Sequence, residues 1–386
     1  MNIGVDAKRI FFNSSGLGNY GRRFYRALAK HLPEDSFYLY SPRPVADDNP
    51  YLEEIRQQNS VIITPPGILS KSPGSSLWRS SLINKQLKED RIDIYYGLSN
   101  EIPFGIKSKE MKKVVVIHDL IFLRYPELYP SVDAVFYRKK SRYACSRSDY
   151  IIAASQQTKL DIIEFYGIPE NKIRIINPGS EPMFYTGTPA DSSGFFKTAK
   201  KYIISIGAIT PRKNLMKTVQ TFNKVKDKYD LDLVVIGTAV GLGKPYLKKI
   251  EEYISFNGFT DRVHFLGNVP YRFIPDLCRK AEMMIYPSQF EGFGMPIVEG
   301  LFSRIPVITS KGGCFPEAGG DGAIYTDPED TGEMASWIGK LMESADLRKE
   351  LVEKGSIYAT RFRQENIDKA ILDFHHSATG QSFTKS

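Results

Sequence analysis

Short apolar runs rich in β-branched and aromatic residues alternate with longer amphipathic stretches along nearly the whole chain. This alternation limits the fold more than any other feature. Runs at Ile3–Val5, Phe37–Tyr40, Val61–Thr64, Ile94–Tyr96, Val114–Ile117, Tyr150–Ala153 and Ile173–Ile176 predict strands. Helical periodicity between them predicts helices at Arg22–His31, Leu82–Lys88, Val132–Ser146 and Gln156–Tyr166. Such alternation requires parallel strands joined by right-handed crossovers, an α/β architecture. The pattern lapses from Asn177 to Phe196, a stretch rich in Gly, Pro and Ser. It restarts with strands near Tyr202–Ile206, Leu233–Ile236, Val263–Phe265, Met283–Tyr286 and Val307–Thr309, separated by helices that include Leu215–Tyr229 and Tyr246–Asn257. Two doubly wound domains in series follow, and 386 residues is a length that supplies two cores. The expected division is a first domain over 1–178, a linker over 179–199 and a second domain over 200–358. A final segment, 359–386, carries a helix (Gln364–Phe374) that returns to the first domain and ends in a mobile polar tail.

Charge narrows the partners only slightly. The net charge is +8 with a pI of about 9.1, and the basic residues are dispersed, with short runs such as Arg138-Lys139-Lys140. No nucleic-acid-binding motif accompanies them. No apolar run reaches the ~18–20 residues that span a bilayer. Asp6 interrupts the apolar N-terminus, which argues against a secretory signal. Cys145, Cys278 and Cys314 are scattered and odd in number, which excludes a disulfide framework and fits a reducing, cytoplasmic compartment. The five histidines form no metal-ligand cluster.

In open α/β sheets, ligands bind beyond the carboxyl ends of the strands, so the residues just after each strand are the ones to inspect. Ser288–Gly300 follows the strand Met283–Tyr286. There Gly292 and Gly294 let backbone approach a ligand, and Pro296 suits a first helical turn whose free N–H groups attract an anion. Glu291 and Glu299 can face the same cleft, and carboxylates beside an anion site can bind hydroxyl donors such as those of a sugar. Otherwise Glu291 caps the helix and Glu299 is a solvated helix residue. Gly207–Asn214 follows the strand Tyr202–Ile206, with Arg212 and Lys213 opening the next helix. Two cations at a helix N-terminus are unfavourable unless an anion joins them, and a diphosphate would serve. An exposed basic turn is the alternative.

Ser15–Gly21 holds a literal GxGxxG, yet about ten residues separate it from the preceding strand where the dinucleotide fingerprint allows almost none. A glycine-rich turn that approaches a ligand ahead of the helix Arg22–His31 is the better reading. His118-Asp119, Ser155 with Lys159, and the glycine-rich turn Lys311–Glu317 also stand directly after strands.

In this order the segments resemble the retaining glycosyltransferases of family four, with the GT-B fold of two Rossmann-like domains facing a cleft. The resemblance rests on the N-terminal glycine loop, His118-Asp119, Asn177-Pro178-Gly179, Pro211–Asn214, Val263–Gly267, Glu291–Glu299, Pro316-Glu317 and Gly320-Asp321. Many members carry an arginine where this chain has Ala208. Lys213 matches the family lysine, and Arg212 looks like the substitute cation of a subset.

The resemblance implies a nucleoside-diphosphate sugar donor held mainly by the second domain. Arg212 and Lys213 would hold the diphosphate, helped by Gly16, Gly18 and the segment Phe293, Gly294, Met295, Pro296 and Ile297. Glu299 would bond the ribose, Gly267, Asn268 and Val269 would abut the base, Glu291 would bond the donor sugar, and His118 would sit near the reacting carbon. Transfer would retain the anomeric configuration without metal or cofactor. The acceptor would be a glycan or lipid-linked molecule on the first domain. Mannose from GDP-mannose is favoured, UDP-sugars are close behind, and cell-surface polysaccharide assembly is the expected setting. Basic and apolar surface at Leu77–Leu87 and Tyr137–Arg147 would permit peripheral contact with the inner face of a membrane. Two other classes stay open: an NADP-dependent two-domain oxidoreductase and a non-catalytic sugar-nucleotide-binding protein.

Overall fold

The computed structural model describes residues 1–56, 59–71, 73–106, 110–187, 190–241 and 243–380. Positions 188–189 of the expected linker and 381–386 of the expected tail lie outside the described residues; the start of that tail, 375–379, is instead the last turn of the final helix, held there by buried His375 and Ala378. The chain divides into two compact units: residues 1–179 with 365–386, and residues 180–364.

The first unit is built on seven parallel strands in the order β3-β2-β1-β4-β5-β6-β7. They are β1 (Asn2–Asp6), β2 (Ser36–Tyr40), β3 (Ser60–Ile63), β4 (Ile94–Gly97), β5 (Lys112–Ile117), β6 (Tyr150–Ala153) and β7 (Ile173–Ile175). The strand order reverses direction at β1, whose neighbours are β2 and β4. Two apolar layers sandwich the sheet, one around Ile3, Val5, Phe24 and Leu28 and one around Tyr95, Val115, Ile117 and Ile162. The final helix, Gln364–Thr379, lays Ile367, Ile371, Leu372 and Phe374 into the first of these layers. There the Tyr96 hydroxyl meets Nδ1 of fully buried His375 at 2.8 Å.

The second unit repeats the plan with six parallel strands in the order β10-β9-β8-β11-β12-β13. They are β8 (Lys201–Ile206), β9 (Leu231–Ile236), β10 (Val263–Gly267), β11 (Met283–Tyr286), β12 (Val307–Ser310) and β13 (Ala323–Thr326). Here the order turns at β8, between β9 and β11. Each unit therefore has a crevice-forming reversal of the kind at which doubly wound sheets bind ligands.

Three sequence expectations need correction. The glycine segment is no free turn: the helix starts at Gly16 and runs to His31, after a short helix at Lys8–Phe12. A Cβ at position 18 would lie 1.8 Å from the Asn13 carbonyl oxygen, so Gly18 serves close packing of the helix on that loop. The GxGxxG thus lies inside a helix rather than at a strand-to-helix junction. The stretch 179–199 is also more than a linker. Phe184 is fully buried in the second core, and Ser192 donates from N and Oγ to Asp276 at 2.8 and 2.6 Å. Aromatic content overrode the loop composition. Likewise Ala359 and Phe362 belong to the second core, so the chain leaves that unit at Gln364 rather than near 359.

Candidate active site

The reversal point of the second sheet brings two of the predicted segments together. After β8 the chain passes Gly207 and makes a single turn at Pro211–Lys213. Asn214 then takes a left-handed conformation (φ +58°) and opens the helix Leu215–Tyr229. Asparagine tolerates this conformation, and its buried amide donates to the Pro328 carbonyl at 2.8 Å. The loop after β9 crosses close by. A Cβ on Gly237 would stand 1.9 Å from the Gly207 oxygen, so that crossing requires glycine.

The segment after β11 is stitched to this turn. Gln289 N donates to the Arg212 carbonyl at 2.9 Å, and Ser288 Oγ lies 3.2 Å from the same oxygen. Behind it, Ser310 Oγ donates to the Ser288 carbonyl and Thr309 Oγ1 to the Tyr286 carbonyl, at 2.6 and 2.8 Å. The result is a rigid seat for charged side chains.

On that seat Glu291, 8% exposed, accepts three contacts at one oxygen. Its Oε1 lies 2.6 Å from Arg212 Nη1, 2.7 Å from Lys213 Nζ and 2.6 Å from Ser288 Oγ. Arg212 also donates to the Phe290 carbonyl, and Lys213 donates to the Tyr286 hydroxyl at 2.5 Å. Burial opposes ionisation of Glu291, but Lys213 and Arg212 prevail and hold its carboxyl down at about 2. Burial moves Lys213 in the opposite sense, lowering it from 10.5 against the pull of Glu291. We take both as charged, because each lies within ion-pair distance of the other. The residues assigned to the diphosphate and to the sugar thus form one ion triad.

Gly294 precedes the helix Met295–Phe302 in a left-handed conformation (φ +102°), with Pro296 in the first turn as expected. The N-cap, Gly294, has no side chain to offer, and Glu291 turns its Oε1 to Arg212, Lys213 and Ser288 rather than to the helix end. Glu299 is buried rather than solvated, and its Oε1 accepts from the Tyr271 hydroxyl at 2.7 Å. The Lys311–Glu317 turn joins the site where Cys314 Sγ donates to the Glu291 carbonyl at 3.2 Å. Of the remaining predicted donor residues, Val269, Phe293 and Ile297 have side chains buried in the second core, so only their backbone is available to a ligand. Gly267 ends β10 at φ +63°, and Asn268 beside it is exposed.

On the first unit, His118 follows β5 and is fixed on several sides. Nε2 meets the Leu98 carbonyl at 2.9 Å, its backbone N donates to Asn100 Oδ1 at 2.8 Å, and the Tyr20 ring stands edge-on at 4.8 Å. Burial lowers its pKa to about 4, with the Leu98 carbonyl opposing and Arg9 adding to the effect. The imidazole is therefore neutral at pH 7. Its proton belongs on Nε2 and its lone pair on Nδ1. Of the predicted glycines, Gly18 has its N–H committed to the Ser15 carbonyl and Asn13 Oδ1, while Gly16 has open space around it. Ser155 caps its own helix, and Lys159 pairs with Glu170 at 2.7 Å. Sequence reading missed Tyr271 and Tyr286, which carry no motif, and a charged cluster at the end of β1 described below. Among the described residues no group of His, Cys, Asp and Glu is placed to hold a metal.

The family described as Glycosyl transferases group 1 matches residues 190–357, and Glycosyltransferase Family 4 matches residues 15–182. The chain belongs to the family-four glycosyltransferases. This transferase is 25% identical over 287 residues to O-antigen chain mannosyltransferase B of Escherichia coli, spanning 72% of this chain and 73% of that one. It is 23% identical over 373 residues to O-antigen chain mannosyltransferase RfbU of Salmonella typhimurium, spanning 95% and 97%. Among solved structures, sucrose-phosphate synthase from Thermosynechococcus elongatus matches at TM-score 0.79 and 16% identity, over 99% of this chain and 100% of that one. Anabaena HepE, solved with UDP-glucose, matches at 0.73 and 18%, over 97% and 99%. These likenesses establish the GT-B fold for the transferase.

Proposed function

We propose that this glycosyltransferase moves a hexose from a nucleoside-diphosphate sugar, with retention, to a glycan or lipid-linked acceptor in surface-polysaccharide assembly. Mannose from GDP-mannose leads, supported by the two O-antigen mannosyltransferase relatives. UDP-sugars follow, supported by the UDP-glucose complex of a structural neighbour. The observation that carries the reading is the Arg212–Lys213–Glu291 triad at the sheet reversal.

A diphosphate entering there would take over the cations, and Glu291, still ionised, would turn to the sugar hydroxyls. As the bond from the anomeric carbon to the phosphate oxygen breaks, charge builds on the leaving diphosphate. Arg212, Lys213 and the amides at Gly294–Met295 are preorganised to meet it, so the reaction is proposed to need no metal. The acceptor oxygen bonds the same face of an oxocarbenium-like centre and passes its proton to the departing phosphate. Glu291 is not placed as a nucleophile, and a trapped glycosyl ester on it would overturn this mechanism. Glu299 would accept from the ribose hydroxyls, and His118 would offer Nδ1 to a sugar hydroxyl.

A peripheral contact at the inner face of a membrane belongs to the same proposal. Val132, Val135 and Phe136 are exposed beside the exposed cations Arg138, Lys139 and Arg142 on the helix Ser131–Arg147. Flotation with anionic vesicles tests that contact.

Thermal shift with GDP, UDP, ADP and NADPH tests the donor assignment. A ligand at a hundred times its Kd adds about 2.7 kcal/mol. A shift with one nucleoside diphosphate is expected, followed by turnover with its sugar conjugate and an α- or β-anomer read by NMR. Stabilisation by NADPH alone would refute the assignment, and binding without turnover would leave a sugar-nucleotide-binding protein.

A further inference from the structure

The reversal point of the first sheet carries its own charged cluster. Asp6 ends β1 and forms a two-pronged pair with Arg79, Nε to Oδ1 at 3.0 Å and Nη2 to Oδ2 at 2.5 Å. Ser99 Oγ donates to the same carboxylate at 3.0 Å. Beyond β4 the chain doubles back so tightly that a Cβ on Gly97 would lie 2.2 Å from the Glu101 carbonyl oxygen. Glu101 pairs there with Arg79 and, at 2.6 Å, with Lys140.

Both carboxylates are thus committed, yet two more cations follow Asp6 after a single alanine. Lys8 and Arg9 are half-buried, and Arg9 Nε is enclosed without a hydrogen-bond partner among the described residues. Lys8, Arg9, Arg79 and Lys140 outnumber Asp6 and Glu101 by two positive charges. Burial, and then Arg79, lower the pKa of Lys8, as expected where an anion is wanting. A half-buried excess of this kind is costly unless a ligand neutralises it.

We infer that the end of β1 binds a phosphate or diphosphate group through Lys8 and Arg9, and that this group belongs to the acceptor. The anion site stands on the cluster alone, and only its assignment to the acceptor rests on the proposed transferase reading.

The test uses inorganic pyrophosphate, titrated calorimetrically into the full chain carrying Arg212→Ala and Lys213→Ala, which removes the second-unit cations. If that protein does not fold, the wild type saturated with its nucleoside diphosphate replaces it. One pyrophosphate is expected to bind. Adding Lys8→Ala and Arg9→Ala should weaken it at least ~10-fold, the loss of two charge-assisted contacts. Lys8→Arg with Arg9→Lys should restore most of the affinity.

In the otherwise wild-type chain, Lys8→Ala with Arg9→Ala should leave GDP and UDP affinity within about twofold and Tm unchanged or raised. Pyrophosphate affinity unmoved by Lys8→Ala and Arg9→Ala would overturn the site. A fall in Tm of several degrees would make the two cations structural. Nucleotide affinity falling in parallel would assign the cations to the donor and overturn the acceptor claim. Failure of every nucleotide to bind, with pyrophosphate binding intact, would refute the proposed donor but leave the anion site standing.

Discussion

Replacing Glu291 by glutamine keeps the shape of the site and removes one charge. Arg212 and Lys213 then face each other across a neutral amide, with side chains only 20% and 17% exposed. Breaking a fully buried pair costs about 3–5 kcal/mol. Partial exposure of both cations brings this to about 2–3 kcal/mol. A unit of this size loses about 2–4 °C of Tm per kcal/mol, so a fall of roughly 4–12 °C is expected without ligand. A nucleoside diphosphate supplies the missing charge. It should therefore stabilise the Glu291→Gln protein more than the wild type and bind it more tightly, at least ~5-fold, which is about 1 kcal/mol of relieved repulsion. Turnover should fall all the same, because the sugar loses its carboxylate. Calorimetric titration of GDP and UDP, paired with thermal melts of both proteins, reads every part of this. A Glu291→Gln protein as stable as the wild type, with weaker nucleotide binding, would show that the triad is not the diphosphate seat.

Other outcomes follow from the same geometry. Lys213→Ala should cut turnover at least ~100-fold in a radiolabelled sugar-transfer assay, as loss of a charge-stabilising group does. Glu299→Ala should act mainly on nucleotide Kd, with a smaller effect on kcat, and steady-state kinetics separates the two. His118 and His375 are each depressed by burial to about 4, so the unfolded chain takes up their protons first as pH falls. Stability is complete above about pH 6.5 and declines toward pH 4, by about 2 kcal/mol per histidine at pH 5. Melts at pH 7 and 5 should show a smaller drop in His375→Gln. Glu291 and Glu101 act in the next window, and their contribution is lost as pH falls from about 4.5 toward 2. Gly237→Ala should cost at least ~2 kcal/mol in denaturant melts, because its Cβ would meet the Gly207 carbonyl.

The fold was largely legible because buried parallel strands must be apolar and continuous, and Val114–Ile117 or Leu233–Ile236 admit no other reading. β13 escaped because AIYT is four residues long and follows a glycine-rich turn. The second-unit site was legible as two segments, each marked by glycine or proline after a strand. Their union was not, since nothing local says that Glu291 reaches Lys213. The cluster on β1 was less visible still: Arg79 lies 73 positions from Asp6, in a stretch without any motif. The glycines misled in another way. Gly18 is glycine because a backbone oxygen presses on it, and the same letter in a phosphate loop would mean the opposite, open space for a ligand.

The last helix places an order on the making of this protein. Residues 180–364 are contiguous, so the second unit can complete its core as soon as they have left the ribosome. The first unit cannot, for Ile367, Ile371 and Phe374 are synthesised only after the whole second unit and fill the layer around Val5 and Phe24. At ordinary translation rates the earlier-made half waits roughly ten to forty seconds with an open seam. Vectorial synthesis thus inverts the usual sequence, and the nascent first unit is a natural client for chaperones. A stop codon just before Glu365 would leave that seam permanently unsealed.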